Sequence, residues 1–137
     1  MDAEITRLYR ERGMDDLRPR FAKPLIKIAH LGPLSIRELS EALDATHSAT
    51  SQTVAAMRSA GYVRTAPGAD ARTREVQLTE KAEALVPFLE QEWRATEAAV
   101  AELDAEVPYP MTRVVADLEQ ALARRCFADR IAERLTS

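Results

Sequence analysis

The 137 residues, 46% hydrophobic and 30% charged, suffice for one core of single-domain size, and no apolar run nears the roughly 20 residues of a membrane-spanning helix. A single cysteine, Cys126, excludes an internal disulfide framework or a multi-cysteine zinc site, and Met1-Asp2-Ala3-Glu4 is no signal-peptide start, so a cytoplasmic protein is expected. The net charge of −3 disfavours a polyanionic partner only on average: residues 1–78 hold 12 Lys+Arg against 10 Asp+Glu, residues 79–137 hold 7 against 12, and no carboxylate lies between Asp44 and Asp70.

In chain order, Ile5, Leu8 and Tyr9 predict a short helix over Asp2–Arg12, stopped at Gly13. Phe21, Leu25, Ile28 and Ala29 predict a second over Phe21–Leu31, with Pro24 tolerable in a first turn and Gly32-Pro33 closing it. Ser35-Ile36-Arg37-Glu38 fits a capping box. The helix it opens is expected to bury Ile36, Leu39 and Leu43. Asp44-Ala45 is a turn, with Ala45 expected inside. Thr46 caps the next helix, which runs to Ala60 and stops at Gly61. Tyr62–Thr65 and Glu75–Leu78 alternate with period two around Pro67-Gly68-Ala69-Asp70, predicting a hairpin. Thr79 then caps a long helix with Leu85, Phe88, Leu89, Trp93, Thr96, Val100 and Leu103 as its stripe, bent at Pro87. After Pro108-Tyr109-Pro110 a last helix sets Val114, Val115, Leu118 and Leu122 inward. The phase jump from Leu122 to Phe127 predicts a kink or a separate helix near Cys126.

Helix, tight turn, helix and β-hairpin within some 45 residues read as a winged helix-turn-helix, in which the second helix presents its N-terminal residues to base edges in the major groove. Thr50, Val54 and Met57 take the core side of that helix. His47, Ser48, Ser51, Gln52 and Ala55 are left outward, an uncharged face of hydrogen-bonding side chains. Gln52 suits a bidentate pair with adenine; His47, Ser48 and Ser51 suit bases or phosphates. In the hairpin, Arg72 and Arg74 share one side of a regular strand, and an arginine at such a tip can enter a minor groove. Asp70 is spaced to hold the Arg72 guanidinium. A solvated helix face and a surface ion pair are the plain alternatives.

The runs Leu34-Ser35-Ile36-Arg37-Glu38-Leu39-Ser40-Glu41-Ala42-Leu43, Thr46-His47-Ser48-Ala49-Thr50-Ser51-Gln52, Gly61-Tyr62-Val63, Asp70-Ala71-Arg72-Thr73 and Leu78-Thr79-Glu80-Lys81 resemble the MarR (multiple antibiotic resistance regulator) family. The match is strongest over residues 33–82. The resemblance implies a transcriptional regulator: a homodimer joined by its N- and C-terminal helices, bound to a pseudo-palindromic operator in double-stranded DNA. A small effector often sits between the dimer helices and the DNA-binding lobe. It also implies that Arg72 is the wing arginine, Asp70 its partner, and Thr46–Gln52 the base reader. Three positions depart from the family: Thr50 is usually apolar, Ala82 is commonly glycine, and the N-terminal helix is short.

The expected architecture is mainly α with a small β-hairpin wing. A single domain spans 1–137, with 1–32 and 80–137 as helical dimerisation region around a winged helix-turn-helix at 33–79. The expected function is a ligand-responsive repressor. His30 reads as a structural or solvated histidine, Trp93 as core or dimer interface rather than a pocket wall, and Cys126 as packing. No Gly-rich phosphate loop, metal-ligand spacing or catalytic triad is present in the sequence, so neither enzyme activity, cofactor nor metal is expected. Two rivals remain: a winged-helix protein-interaction module that never touches DNA, and the helical dimerisation portion of an enzyme.

Overall fold

Helix starts in this chain are set by caps and prolines. The computed structural model describes residues 1–68 and 73–135. Helix α1 (Asp2–Glu11) precedes α2 (Pro19–Leu31), which starts two residues ahead of Phe21 because Pro19, with its fixed φ, occupies the first helical turn. Pro24 therefore lies inside α2, beyond the first turn expected for it, and is buried. Strand β1 (Leu34–Ser35) leads into α3 (Ile36–Leu43), then α4 (His47–Ser59), β2 (Val63–Pro67) and β3 (Arg74–Leu78). β1 pairs with β3, Leu34 opposite Val76, so the sheet is three-stranded and antiparallel in the order β1-β3-β2 rather than a lone hairpin. A two-residue strand has no alternation to read in the sequence.

The long helix expected after Thr79 is two pieces. α5 (Glu80–Glu83) ends at Ala84, and α6 (Val86–Glu106) begins one residue before Pro87. Proline cannot donate a backbone hydrogen bond, so it sits at the start of a new helix instead of bending an old one. α7 (Met111–Arg124) and a separate α8 (Phe127–Leu135) follow, the break falling at Arg125-Cys126 where the apolar phase jumps.

Packing divides the chain into Met1–Trp93 and Arg94–Ser137, with the boundary inside α6. In the first unit α1 and α2 share one core with the winged helix: Tyr9, Phe21, Leu25 and Ile28 join Leu39, Val54, Met57, Tyr62, Val76 and Leu89. Tyr9 stacks edge-on against Phe88 at 6.1 Å and its hydroxyl donates to Glu92 at 3.2 Å. Burial and the Glu92 carboxylate raise its pKa above the ordinary phenol value.

In the second unit Asp104 accepts from the Met111 amide at 2.8 Å and from the Thr112 hydroxyl, which ties α7 back to α6. Arg130 donates to the Ala121 carbonyl at 2.9 Å and links α8 to α7. Neither α7 nor α8 buries a residue. Val114, Val115, Leu118 and Leu122, expected inward, are 54%, 47%, 58% and 37% exposed. Their stripe is amphipathic as read, but it is exposed.

Candidate nucleic-acid interface

The helix-turn-helix is built from local hydrogen bonds. Ser35 Oγ accepts from the Glu38 amide at 3.2 Å while Glu38 Oε2 accepts from the Ser35 amide at 2.8 Å, completing the capping box. The Ser35 hydroxyl and amide together hold the Glu38 carboxyl below the usual carboxylate range. At the other end of α3, Asp44 takes a left-handed conformation at φ 51° and the Ala45 amide donates to Ser40 O at 3.0 Å. That sharp turn leaves Ala45 exposed, against expectation. Thr46 Oγ1 then accepts from the Ala49 amide at 3.2 Å. That bond uses one of the two lone pairs of the oxygen, which leaves its proton and a second acceptor position for a base or phosphate.

These caps fix which face α4 shows. Thr50, Val54 and Met57 are buried. His47, Ser48, Gln52 and Ala55 are exposed, and Ser51 is half-buried. The outward residues are thus on one surface, with no carboxylate among them. The β2–β3 hairpin stands next in the chain, Val63 opposite Leu78 and Pro67 opposite Arg74. Gly68 donates to the Thr73 carbonyl at 2.8 Å, and a Cβ at Gly68 would meet only the flexible side chain of Glu75, whose Oε1 lies 2.7 Å away and can shift. Arg74 opens β3 and is exposed. Asp70 and Arg72 lie outside the described residues, so the Asp70–Arg72 pair and the shared side of Arg72 and Arg74 stand as sequence expectations.

Behind α4 lies a feature that sequence reasoning missed. A cavity of about 300 Å3 is walled by Leu39, Leu43, Val54, Met57 and Trp93. Arg20 and Lys23, both exposed, complete its cationic edge. Thr50 also lines it, is 2% exposed, and its Oγ1 has no hydrogen-bond partner among the described residues. The one available signal was the threonine at a core position. Trp93 is a pocket wall here, 38% exposed. His30 is on the surface, its Nε2 2.5 Å from Glu90. Cys126 is exposed rather than packed, its Sγ accepting from the Asp129 amide at 3.4 Å. Among the described residues no cluster of His, Cys, Asp or Glu is arranged to hold a metal, and no helix is long and apolar enough to cross a membrane.

Residues 25–73 match the sequence model of the MarR family. The structure superposes on the transcriptional regulator SlyA with a TM-score of 0.64 and 11% identity, covering 96% of this chain and 89% of that one. The fold is that of a MarR-type winged helix. A MarR protein from Peptoclostridium difficile gives 0.59 at 21% identity, over 90% of this chain and 77% of its own. Streptococcus pneumoniae FabT, solved in complex with DNA, gives 0.59 at 13% identity over 94% and 87%. Among curated proteins nothing matches the chain in sequence. The MarR-type match in sequence covers α3, α4 and most of α2, the elements that carry the candidate reading face.

Proposed function

We propose that this protein is a sequence-specific, DNA-binding transcriptional regulator that acts as a homodimer on a pseudo-palindromic operator. The observation that carries the reading is the carboxylate-free face of exposed His47, Ser48 and Gln52, with half-buried Ser51, on the second helix of a helix-turn-helix. Such a surface presents donors and acceptors to base edges and meets phosphates without like-charge repulsion. Thr46 borders it, and Arg74, with Arg72 and its partner Asp70, would extend contact into the neighbouring groove. The DNA bound in the FabT complex is consistent with this use of the fold.

Support for the dimer comes from the exposed apolar stripe of α7 and α8. Phe127 is 67% and Leu118 58% exposed, and helices that bury nothing need a second surface to be stable. A second copy supplies that surface and doubles the reading helix, so half-sites about 34–36 Å or one DNA turn apart follow. The protein acts in the cytoplasm, as a binder and not as an enzyme. It is a repressor released by a small molecule, a reading supported by the cavity against the back of α4: an occupant there bears on the same helix that reads DNA.

Selection of bound duplexes from a randomised pool by the purified protein tests this. An enriched inverted repeat with half-site centres about 10 bp apart is expected. Enrichment of no duplex would leave a winged helix that docks a protein partner.

A further inference from the structure

We propose that Lys81 and Thr79 set the sequence specificity of α4 without touching DNA, by fixing the far end of that helix to the base of the hairpin. This rests on the DNA-reading role of α4 proposed above.

The last carbonyls of a helix lack intrahelical partners and carry partial negative charge. Past α4, Gly61 turns the chain at φ 77° into Tyr62, and three successive carbonyls find their partners in one short stretch. Lys81 Nζ donates to Ala60 O at 3.0 Å. Thr79 Oγ1 donates to Gly61 O at 2.7 Å, with Tyr62 O 3.1 Å away. The Thr79 amide donates to Tyr62 O at 3.0 Å. Lys81 Nζ also stands 4.3 Å from the centre of the Tyr62 ring and 3.7 Å from Asp16 Oδ2. Tyr62 in turn is 1% exposed and meets Phe21 of α2 edge-on at 6.1 Å.

One ammonium therefore joins the end of α4, a core aromatic and the loop that leads into α2. A cation at a helix C-terminus and over a ring face is favourable on both counts. The mechanical consequence is at the opposite end. α4 has 13 residues, a lever of about 20 Å. A rotation of about 5° at the anchored end moves His47 by roughly 1.7 Å and Gln52 by roughly 1 Å. Base hydrogen bonds tolerate a few tenths of an ångström, whereas phosphate attraction hardly changes over that distance. Loosening the anchor should thus reduce discrimination more than affinity. Lys81 is 47% exposed, so a direct phosphate contact is the competing role, and salt dependence separates the two.

The full-length protein is titrated against its selected operator and a scrambled duplex at several salt concentrations. Lys81→Met is expected to lower the operator-to-scrambled ratio about tenfold, the loss of one charge-assisted hydrogen bond, with the salt slope unchanged. Lys81→Arg, which keeps the cation, recovers most of the ratio. Thr79→Val lowers it in the same direction while Thr79→Ser retains it. An unchanged ratio in Lys81→Met overturns the inference. So does an equal loss on both duplexes with a slope shallower by about one, which marks a phosphate contact. Should Lys81→Met fail to fold, the Thr79 pair decides, and equal ratios for Val and Ser overturn it. Wild-type protein that prefers no duplex would overturn the DNA reading and the anchor together. Preference kept by every variant sinks the anchor alone.

Discussion

Gln52 and Thr50 occupy opposite faces of one helix and pose opposite problems. Gln52 is exposed, with a donor and an acceptor on one rigid amide, and adenine offers the complementary pair in the major groove. Gln52→Ala is expected to relax one position of the selected site, by about 1–3 kcal/mol of discrimination, and to leave scrambled-duplex affinity in place. An unchanged consensus from the same selection would count against it. Thr50 buries a hydroxyl with no partner among the described residues, a liability that valine of the same shape removes. Thr50→Val is expected to raise stability by about 1 kcal/mol in chemical denaturation. A drop would mean that the hydroxyl is satisfied in the folded protein.

The division of α4 into faces was legible because Thr50, Val54 and Met57 recur at helical spacing. The orphaned hydroxyl, the cavity behind it and the exposure of Ala45 were not, since each depends on how α2, α3 and α6 close around the site. Trp93 shows the same limit: its place on the stripe was readable, but its role as a cavity wall was not.

Among the elements, α3 tests most simply. Ser35→Ala removes the N-cap of that helix and should cost about 1 kcal/mol in the denaturation midpoint at neutral pH. Because Ser35 holds the Glu38 carboxyl below its usual range, the cap's benefit is full above the ordinary carboxylate pKa. It fades as pH falls through the lower folded value. The gap between wild type and Ser35→Ala should therefore narrow in acid, and a gap that widens would contradict the box. The box itself was written in four residues of sequence, as were the caps at Thr46 and Thr79. Harder to read were elements without a period: β1 is two residues long, and the break between α5 and α6 lies two residues ahead of the proline expected to bend them. Pro24 misled in the other direction, because Pro19 had already started the helix.

At the scale of the whole molecule, the amphipathic pattern of α7 and α8 could be read, but not what covers it. α1 shows the reverse, its apolar side used within its own chain where Tyr9 is 0% exposed. In the proposed dimer the surface would therefore fall to the C-terminal helices. Leu118→Glu is expected to shift the protein to a monomer in sedimentation equilibrium and to weaken operator binding severely, since one half-site is lost. A dimer that persists would place the interface elsewhere.

The most direct measurement is fluorescence anisotropy of a labelled operator duplex, titrated with protein over a series of salt concentrations beside a scrambled duplex. Charge-poor reading face and arginine-bearing hairpin together predict tight binding at low salt. The logarithm of affinity should fall linearly with the logarithm of salt by several ions, and the operator should stay ahead of the scrambled sequence throughout. No measurable binding to either duplex at the lowest salt would contradict the account.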